Sequence, residues 1–237
     1  GRMALTLMLV ILYGIILNGQ TVEDTLNQVD LDGRKQGYWK KHDESGMILY
    51  EGSFEADVPV GDFRYYYPDG KTKATSTFYD NGRRSKTTTY HYSGKVMSEG
   101  FYVDKLKDSV WRYYDINGIF LKEEFYRNNE RNGMWRSYYQ DGQVAAETGW
   151  KADMKYGPWV QSYYDGTKKL EGSYLNDEKQ GPILHYFPSG RTRITGEYDQ
   201  SYRIGTWYYM NDSSKVIKIE HYEDGKVVKE ENFDPEE

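Results

Sequence analysis

The sequence has no cysteine and little proline or histidine, and it lacks any cluster of basic residues. Its 237 residues include 6 prolines and 4 histidines. The lack of cysteine excludes a disulfide framework, a thiol nucleophile and a thiolate metal site. The formal net charge is -6 and no Lys or Arg run occurs, which excludes nucleic acid as the expected partner, because phosphate binding needs a clustered cationic surface. The same acidic balance makes membrane lipid an unfavoured ligand.

Catalytic motifs are also missing. The four histidines show neither His-x-x-x-His nor Glu-x-x-His spacing, and they are His42, His91, His185 and His221. No nucleophile elbow, phosphate loop or dinucleotide fingerprint is present. We therefore predict that the protein is not an enzyme and has no catalytic residue, metal site or cofactor.

The first twenty residues differ from the rest of the chain. An apolar run extends from Met3 to Leu17, and at about 15 residues it is shorter than the roughly 20 that span a bilayer as a helix. Residues 1–20 are therefore predicted to be a secretory signal peptide. The expected location is periplasmic, cell-surface or secreted; the alternative is a protein tethered to the membrane by an uncleaved signal anchor.

Tyrosine and glycine are the abundant residues. The chain has 25 tyrosines and 24 glycines, and only 38% of its residues are hydrophobic. This mixture is typical of half-buried strands joined by tight turns, and the low apolar content favours a thin architecture over one deep core.

One pattern recurs every 24 residues without insertion or deletion. We number the repeat from position 0, which is occupied in turn by Gly37, Gly61, Ser85, Ser109, Gly133, Gly157, Gly181 and Gly205. Eight repeats fill residues 37–228, after a lead-in at 21–36 that contains a partial hairpin and before a strand and acidic tail at 229–237. A period of this length indicates a repeat architecture.

Two positions of the repeat are mostly aromatic, and they are the predicted structural core. Position 2 holds Trp39, Phe63, Trp111, Trp135, Trp159 and Trp207. Position 17 holds Phe54, Phe78, Tyr102, Tyr126, Trp150, Tyr174, Tyr198 and Tyr222.

Each repeat reads as a β-hairpin, with an aromatic run, a turn such as "QDG", and a second run. A two-residue loop at positions 8 and 9 would pair residues whose positions sum to seventeen. That register predicts cross-strand ion pairs of Lys40 with Glu51, Arg112 with Glu123 and Arg136 with Glu147. It also predicts that the ring at position 2 shields the small residue opposite it at position 15.

Alternation along the strands then divides the side chains between two faces. One face is predicted to carry positions 2 and 17 together with position 11, which includes Ile48, Phe120 and Val144. The other face carries the basic and acidic columns with tyrosines between them. The candidate binding surface on that face is Tyr66, Tyr90, Tyr114, Tyr138, Tyr186, Arg64, Arg112 and Arg136.

These repeats resemble the MORN repeats, and more closely the bacterial variant form associated with antitoxin-like proteins. The matching segments include "GMWRSYYQDG", "GPWVQSYYDG", "LEGSY" and "EDGK". The resemblance implies an all-β fold, an elongated twisted antiparallel sheet built from eight hairpins, used as a docking scaffold. The third and fourth repeats depart from the pattern at Ser85, Thr87 and Ser109, which predicts an irregularity or bend in the middle of the sheet.

Two kinds of binding function follow. The first is an exported, non-catalytic scaffold that binds a protein partner at the cell envelope, since Tyr and Trp are the enriched anchors of interfaces. The second is glycan recognition by aromatic rings along a trough, and an antitoxin-like protein that binds a toxin is a further alternative. Burial of the position 2 rings would make them a packing core and leave the Tyr/Arg/Glu face as the functional surface.

Overall fold

The structure, a computed structural model, describes residues 25–234. The predicted signal peptide therefore lies outside the described residues. Within them the chain forms one open sheet of twenty antiparallel strands and no α-helix, which confirms the predicted all-β sheet of hairpins.

The strands are β1 Gln28–Val29, β2 Lys35–His42, β3 Ile48–Glu55, β4 Val58–Tyr66, β5 Thr72–Tyr79, β6 Arg84–Tyr90, β7 Val96–Val103, β8 Leu106–Tyr114, β9 Phe120–Arg127, β10 Glu130–Arg131, β11 Gly133–Tyr138, β12 Val144–Lys151, β13 Met154–Ser162, β14 Lys168–Leu175, β15 Glu178–Lys179, β16 Gly181–Tyr186, β17 Thr192–Asp199, β18 Tyr202–Met210, β19 Val216–Glu223 and β20 Lys226–Asn232. They cross the sheet in chain order, and each strand pairs with the next except at β10 and β15. β10 and β11 both pair with β9, and β15 and β16 both pair with β14, so each of these pairs is one strand interrupted by an irregularity.

The turn inside each hairpin is longer than predicted. In the first repeat the amide of Gly46 donates to the carbonyl of Asp43 at 3.1 Å, and Gly46 has a φ of 85°. The amide of Asp43 in turn donates to the carbonyl of Met47 at 2.9 Å. This is a three-residue loop whose glycine is left-handed, so the predicted two-residue loop is wrong.

A bulge after this turn restores the predicted register. Next to the turn His42 lies opposite Ile48, whereas one step further Lys41 lies opposite Tyr50, so that Leu49 is the extra residue. The bulge at position 12 cancels the extra loop residue. Away from the turn the paired positions again sum to seventeen, and Trp39 lies opposite Gly52.

The turns between repeats are tighter, with two residues each, except that four residues, 80–83, join β5 to β6 before the third repeat. Ala56 and Asp57, which join β3 to β4, have φ values of 48° and 70°, as the two central residues of a type I′ turn require. The amide of Asp57 donates to the carbonyl of Lys35 at 3.1 Å, and the Asp57 carboxylate accepts from the Lys35 amide at 2.8 Å. Corresponding backbone bonds are donated by the amides of Asp104, Asn129, Asp153, Asp177 and Ser201, so these neighbouring repeats are connected along this edge of the sheet.

Position 0 marks a second bulge, and the two serines found there behave differently. Gly61 and Ser109 have φ values of 65° and 60°, and the strand pairs that contain them shift register beside them. Ser85 is not left-handed, and β5 pairs with β6 without any shift. The predicted irregularity is thus the absence of a bulge at the third repeat.

The last described strand also departs from the repeat. β20 has Lys229 at position 0 and Glu231 at position 2. Lys218 and Ile194 both occupy position 13 of the repeat. Lys218 lies opposite Asn232, at position 3, whereas Ile194 lies opposite Tyr209, at position 4. β20 is therefore shifted by one residue relative to the strands before it.

Candidate functional site

The two faces of the sheet have different chemistry. We call the face that carries positions 3, 5 and 14 the Tyr/Glu face, and the face that carries positions 2, 15 and 17 the Trp face. The tyrosines of the predicted binding surface are all half-buried on the Tyr/Glu face, whereas Arg64 and Arg112 are exposed and Arg136 is half-buried.

Tyrosines on the Tyr/Glu face bind the glutamates of the preceding repeat. The hydroxyl of Tyr114 donates to Glu99 at 2.9 Å and that of Tyr138 donates to Glu123 at 3.0 Å. The hydroxyls of Tyr66 and Tyr186 donate to Glu51 and Glu171 in the same way. Tyr90 of the third repeat faces Thr75, which replaces the glutamate of the second repeat, and the two hydroxyl oxygens lie 3.3 Å apart.

The predicted cross-strand ion pairs are all present. Arg136 Nε lies 2.6 Å from Glu147 Oε1, and Arg136 Nη1 lies 3.2 Å from Glu123 Oε1. The corresponding separations are 3.5 Å for Lys40 with Glu51 and 4.0 Å for Arg112 with Glu123. Arg136 thereby joins glutamates of two repeats, which raise its pKa.

These contacts fix the protonation of the ladder. The Tyr66 hydroxyl, with further help from Tyr38 and Lys40, lowers the pKa of Glu51. Burial, together with the Glu171 carboxylate, raises the pKa of Tyr186 to about 12. At neutral pH Glu51 and Glu171, whose pKa values are lowered, are therefore ionised acceptors. Tyr66 and Tyr186, whose pKa values are raised, are neutral donors, as charge-assisted hydrogen bonds require.

Position 11 lies on the Tyr/Glu face, which corrects the prediction. The ring of Phe120 lies 4.6 Å from that of Tyr138 and 5.5 Å from that of Tyr114. The reason is the bulge at position 12, because one extra residue turns the side chain of position 11 to the other side of the sheet.

The Trp face carries most of the buried apolar side chains. Exposed fractions at position 2 are 4% for Phe63, 2% for Trp111, 2% for Ile183 and 1% for Trp207. Trp39, Trp135 and Trp159 are half-buried. All eight side chains of the position 17 column are also half-buried, and they pack edge-to-face or tilted against the position 2 rings.

The glycine at position 15 contacts a different ring from the one predicted. A Cβ on Gly100 would lie 2.3 Å from Trp111 Cδ2, and one on Gly196 would lie 2.2 Å from Trp207 Cδ2. Both rings belong to the following repeat, on the strand at the other side of the glycine. The ring of a repeat therefore packs on the glycine of the repeat before it.

The burial of the side chain at position 2 depends on which residue occupies position 15 of the preceding repeat. Glycine occupies that position before each of the buried side chains, which are Phe63, Trp111, Ile183 and Trp207. The position is occupied by Glu124 before Trp135 and by Thr148 before Trp159, and both of these rings are half-buried. The larger side chains occupy the space that the ring would fill.

A column of cations on the Trp face was missed at the sequence level. Position 22 is basic at seven places, which are Lys35, Arg83, Lys107, Arg131, Lys155, Lys179 and Arg203. Lys107 Nζ lies 4.6 Å from the centre of the Trp111 ring, and the guanidinium of Arg203 lies 4.2 Å from that of Trp207. Extending the column count to position 22 would have revealed these cation–π contacts.

The described residues contain no candidate metal site. Within residues 25–234 no group of three or more His, Asp or Glu side chains could hold a metal ion. Two of the histidines contact neighbouring strands: His91 Nε2 lies 3.0 Å from the Tyr114 carbonyl oxygen, and His221 Nδ1 lies 3.1 Å from the Thr206 hydroxyl. In the same part of the chain no helix is long and apolar enough to cross a membrane.

Comparison with known families decides the kind of repeat. The profile of the family described as MORN repeat variant matches residues 59–81, 86–104 and 131–152, which fall within the regular hairpin pattern described above. This chain is a MORN-repeat protein. The MORN-repeat family is generally non-catalytic, and its repeats form scaffolds for protein or membrane interaction.

Solved structures show only distant likeness to this MORN-repeat protein. One, titled "Crystal Structure of TarM", is 13% identical with a TM-score of 0.30 over 38% of this chain and 18% of that chain. Another, a structure of the Photorhabdus luminescens Tc holotoxin pore, is 10% identical with a TM-score of 0.20 over 76% of this chain and 12% of that chain. The MORN-repeat protein thus spans less than a fifth of the length of either. No curated protein gave a significant match.

Proposed function

We propose that this protein is a non-catalytic scaffold that binds a protein partner through its Tyr/Glu face at the cell envelope. The observation that carries the proposal is the ladder of tyrosine hydroxyls bonded to glutamates of the neighbouring repeat. It fixes each half-buried phenol before any partner arrives, so that binding costs little side-chain entropy.

The composition of this face suits a protein interface. Tyrosine and arginine are the residue types that most often dominate binding energy. Here tyrosine occupies position 5 in five of the eight repeats, and the arginines at position 3 include the exposed Arg64 and Arg112. The eight repeats supply two strands each. Sixteen strands at about 4.8 Å spacing and about 25 Å length give a face of order 2,000 Å², which exceeds the roughly 800 Å² that one partner buries in a standard complex.

The proposal of export rests on the apolar segment at residues 3–17. N-terminal sequencing of the protein recovered from its host tests it, since cleavage by a signal peptidase would expose a new terminus near residue 20. An intact terminus with the protein in the cytosolic fraction would contradict export. A toxin as the partner stays a prediction of the family resemblance.

Affinity capture with paired variants tests the binding face. The baits are the full chain, Arg64→Met/Arg112→Met on the Tyr/Glu face, and Lys155→Met/Lys179→Met on the Trp face as the matched control. We expect one protein to be captured by the native chain and by the control, and its recovery to fall at least tenfold with the arginine variant. Equal recovery with all three baits, or loss only with the lysine variant, would contradict the proposal.

A further inference from the structure

The middle of the Trp face has rings that no glycine accommodates. Position 15 of the preceding repeat is Glu124 for Trp135 and Thr148 for Trp159, and both rings are half-buried. Trp150, at position 17, lies between them in the sequence. The rings of Trp135 and Trp150 lie 5.1 Å apart, and Trp159 lies 5.2 Å from Tyr174. Here a row of indole rings is partly open to solvent, whereas Trp111 and Trp207 are buried.

Cations flank this row at repeat spacing. Lys155 Nζ lies 5.0 Å from the Tyr174 ring and 6.0 Å from that of Trp150, and Lys179 Nζ lies 5.4 Å from the Trp159 ring. Corresponding residues of successive repeats lie two strands, or about 9.6 Å, apart. The lysines are therefore two positive charges along one line of aromatic rings.

The charge of these two lysines is unneutralised by the described part of the chain. Neither ammonium forms an ion pair with a carboxylate among residues 25–234. Nearby charges are already paired: Arg131 Nε lies 2.9 Å from Asp153, and Lys122 Nζ lies 2.6 Å from Glu124. An anionic ligand would find Lys155 and Lys179 available.

We propose that this row, made of Trp135, Trp150, Trp159, Lys155 and Lys179, binds an extended acidic polysaccharide of the polyuronate type. The flat carbon faces of the sugars stack on the indole rings of Trp135 and Trp159, because the Arg131 guanidinium already lies 4.0 Å from the centre of the Trp150 ring. Carboxylates of alternate sugars bind the two ammonium groups by charge-assisted hydrogen bonds. The site lies on the face opposite the proposed protein interface and does not depend on it.

Charge spacing favours this ligand over a nucleic acid. A nucleic acid strand carries a phosphate about every 3.4 Å, several times more densely than cations about 9.6 Å apart can match. The net charge of -6 disfavours the more densely charged of these two ligands, which is the nucleic acid. A sugar chain with spaced carboxylates matches both the rings and the charges.

Titration calorimetry with defined oligosaccharides tests the proposal. The probe is a galacturonate decamer, the uncharged control is its methyl ester, and the polyanion control is a thymidine oligonucleotide. For the full chain we expect binding of the decamer that weakens with salt and is at least tenfold tighter than binding of the ester or the oligonucleotide. Lys155→Met/Lys179→Met should weaken decamer binding about tenfold or more.

Two further variants separate a lost contact from a lost fold. Lys155→Arg/Lys179→Arg keeps both charges and should keep the affinity, while Arg64→Met/Arg112→Met on the opposite face should leave it unchanged. No decamer binding at millimolar concentration, equal binding of the ester, tighter binding of the oligonucleotide, or equal loss with the Arg64/Arg112 variant would each overturn the proposal.

Discussion

Replacing Gly100 by alanine should destabilise the sheet through one ring of the next repeat. The new Cβ would lie 2.3 Å from Trp111 Cδ2, well inside van der Waals contact, so the indole must move by more than 1 Å. Trp111 is 2% exposed, and overpacking of this kind costs about 1–3 kcal/mol. Alanine in a strand regains about 0.5–1 kcal/mol of backbone entropy, which leaves a net loss centred on about 1 kcal/mol.

Urea unfolding followed by circular dichroism measures this loss, and a second background tests its cause. The fold already accepts threonine at position 2, in Thr87, so Trp111→Thr removes the ring with a residue that suits the strand. In that background we expect Gly100→Ala to be neutral or stabilising. An unchanged urea midpoint in the native background, or an equal loss in both backgrounds, would refute the explanation.

Three other perturbations test other parts of the sheet. Ser109→Gly should raise the free energy of unfolding by about 1 kcal/mol because Ser109 is left-handed, while Ser85→Gly should lower it by about 0.5–1 kcal/mol because Ser85 lies in a regular strand; a gain at both sites in urea unfolding would contradict this reading. Burial raises the pKa of Glu220, but hydrogen bonds from a lysine and two tyrosines outweigh it and lower the pKa to about 2 from 4.5. The stability that Glu220 contributes is therefore complete above pH 4.5 and is lost as the pH falls towards 2, by up to about 3 kcal/mol, and Glu220→Gln should flatten that part of the stability curve. Deleting residues 229–237 removes most of β20 and uncovers the edge of β19, so oligomers should form; a deletion variant that stays monomeric by light scattering at high concentration would contradict this.

The 24-residue period was enough to predict the hairpins and their main register. Glu51, Glu123 and Glu147 pair with the predicted bases, because opposite charges on facing strands depend only on a register that periodic turns define. The loop length could not be predicted in this way, since an extra residue in the loop and a bulge at position 12 cancel over the repeat. The side of the sheet that Phe120 occupies depends on that hidden bulge, so it was predicted wrongly.

Contacts between repeats were harder to predict than contacts within them. Trp39 lies opposite Gly52, as the hairpin predicts, yet it is the ring of Phe63 that would meet a Cβ on that glycine, at 2.5 Å. The register within a hairpin does not show which of the two neighbouring strands supplies the ring that covers a glycine. The position 22 cations were missed because their ring partners at position 2 belong to the next repeat, although a pair such as Lys107 and Trp111 lies on one strand, β8.

The packing of each ring on the preceding glycine gives the array a direction. A substitution of the glycine at position 15 displaces the position 2 ring of the next repeat, whereas the ring of the substituted repeat stays in place. Recombination that cuts the chain at position 0 would separate Gly100 from Trp111, although each transferred hairpin would remain whole. Cuts in the loops at positions 7 to 9 would keep every glycine with its ring, so the exchangeable module of this protein runs from the second strand of one hairpin to the first strand of the next.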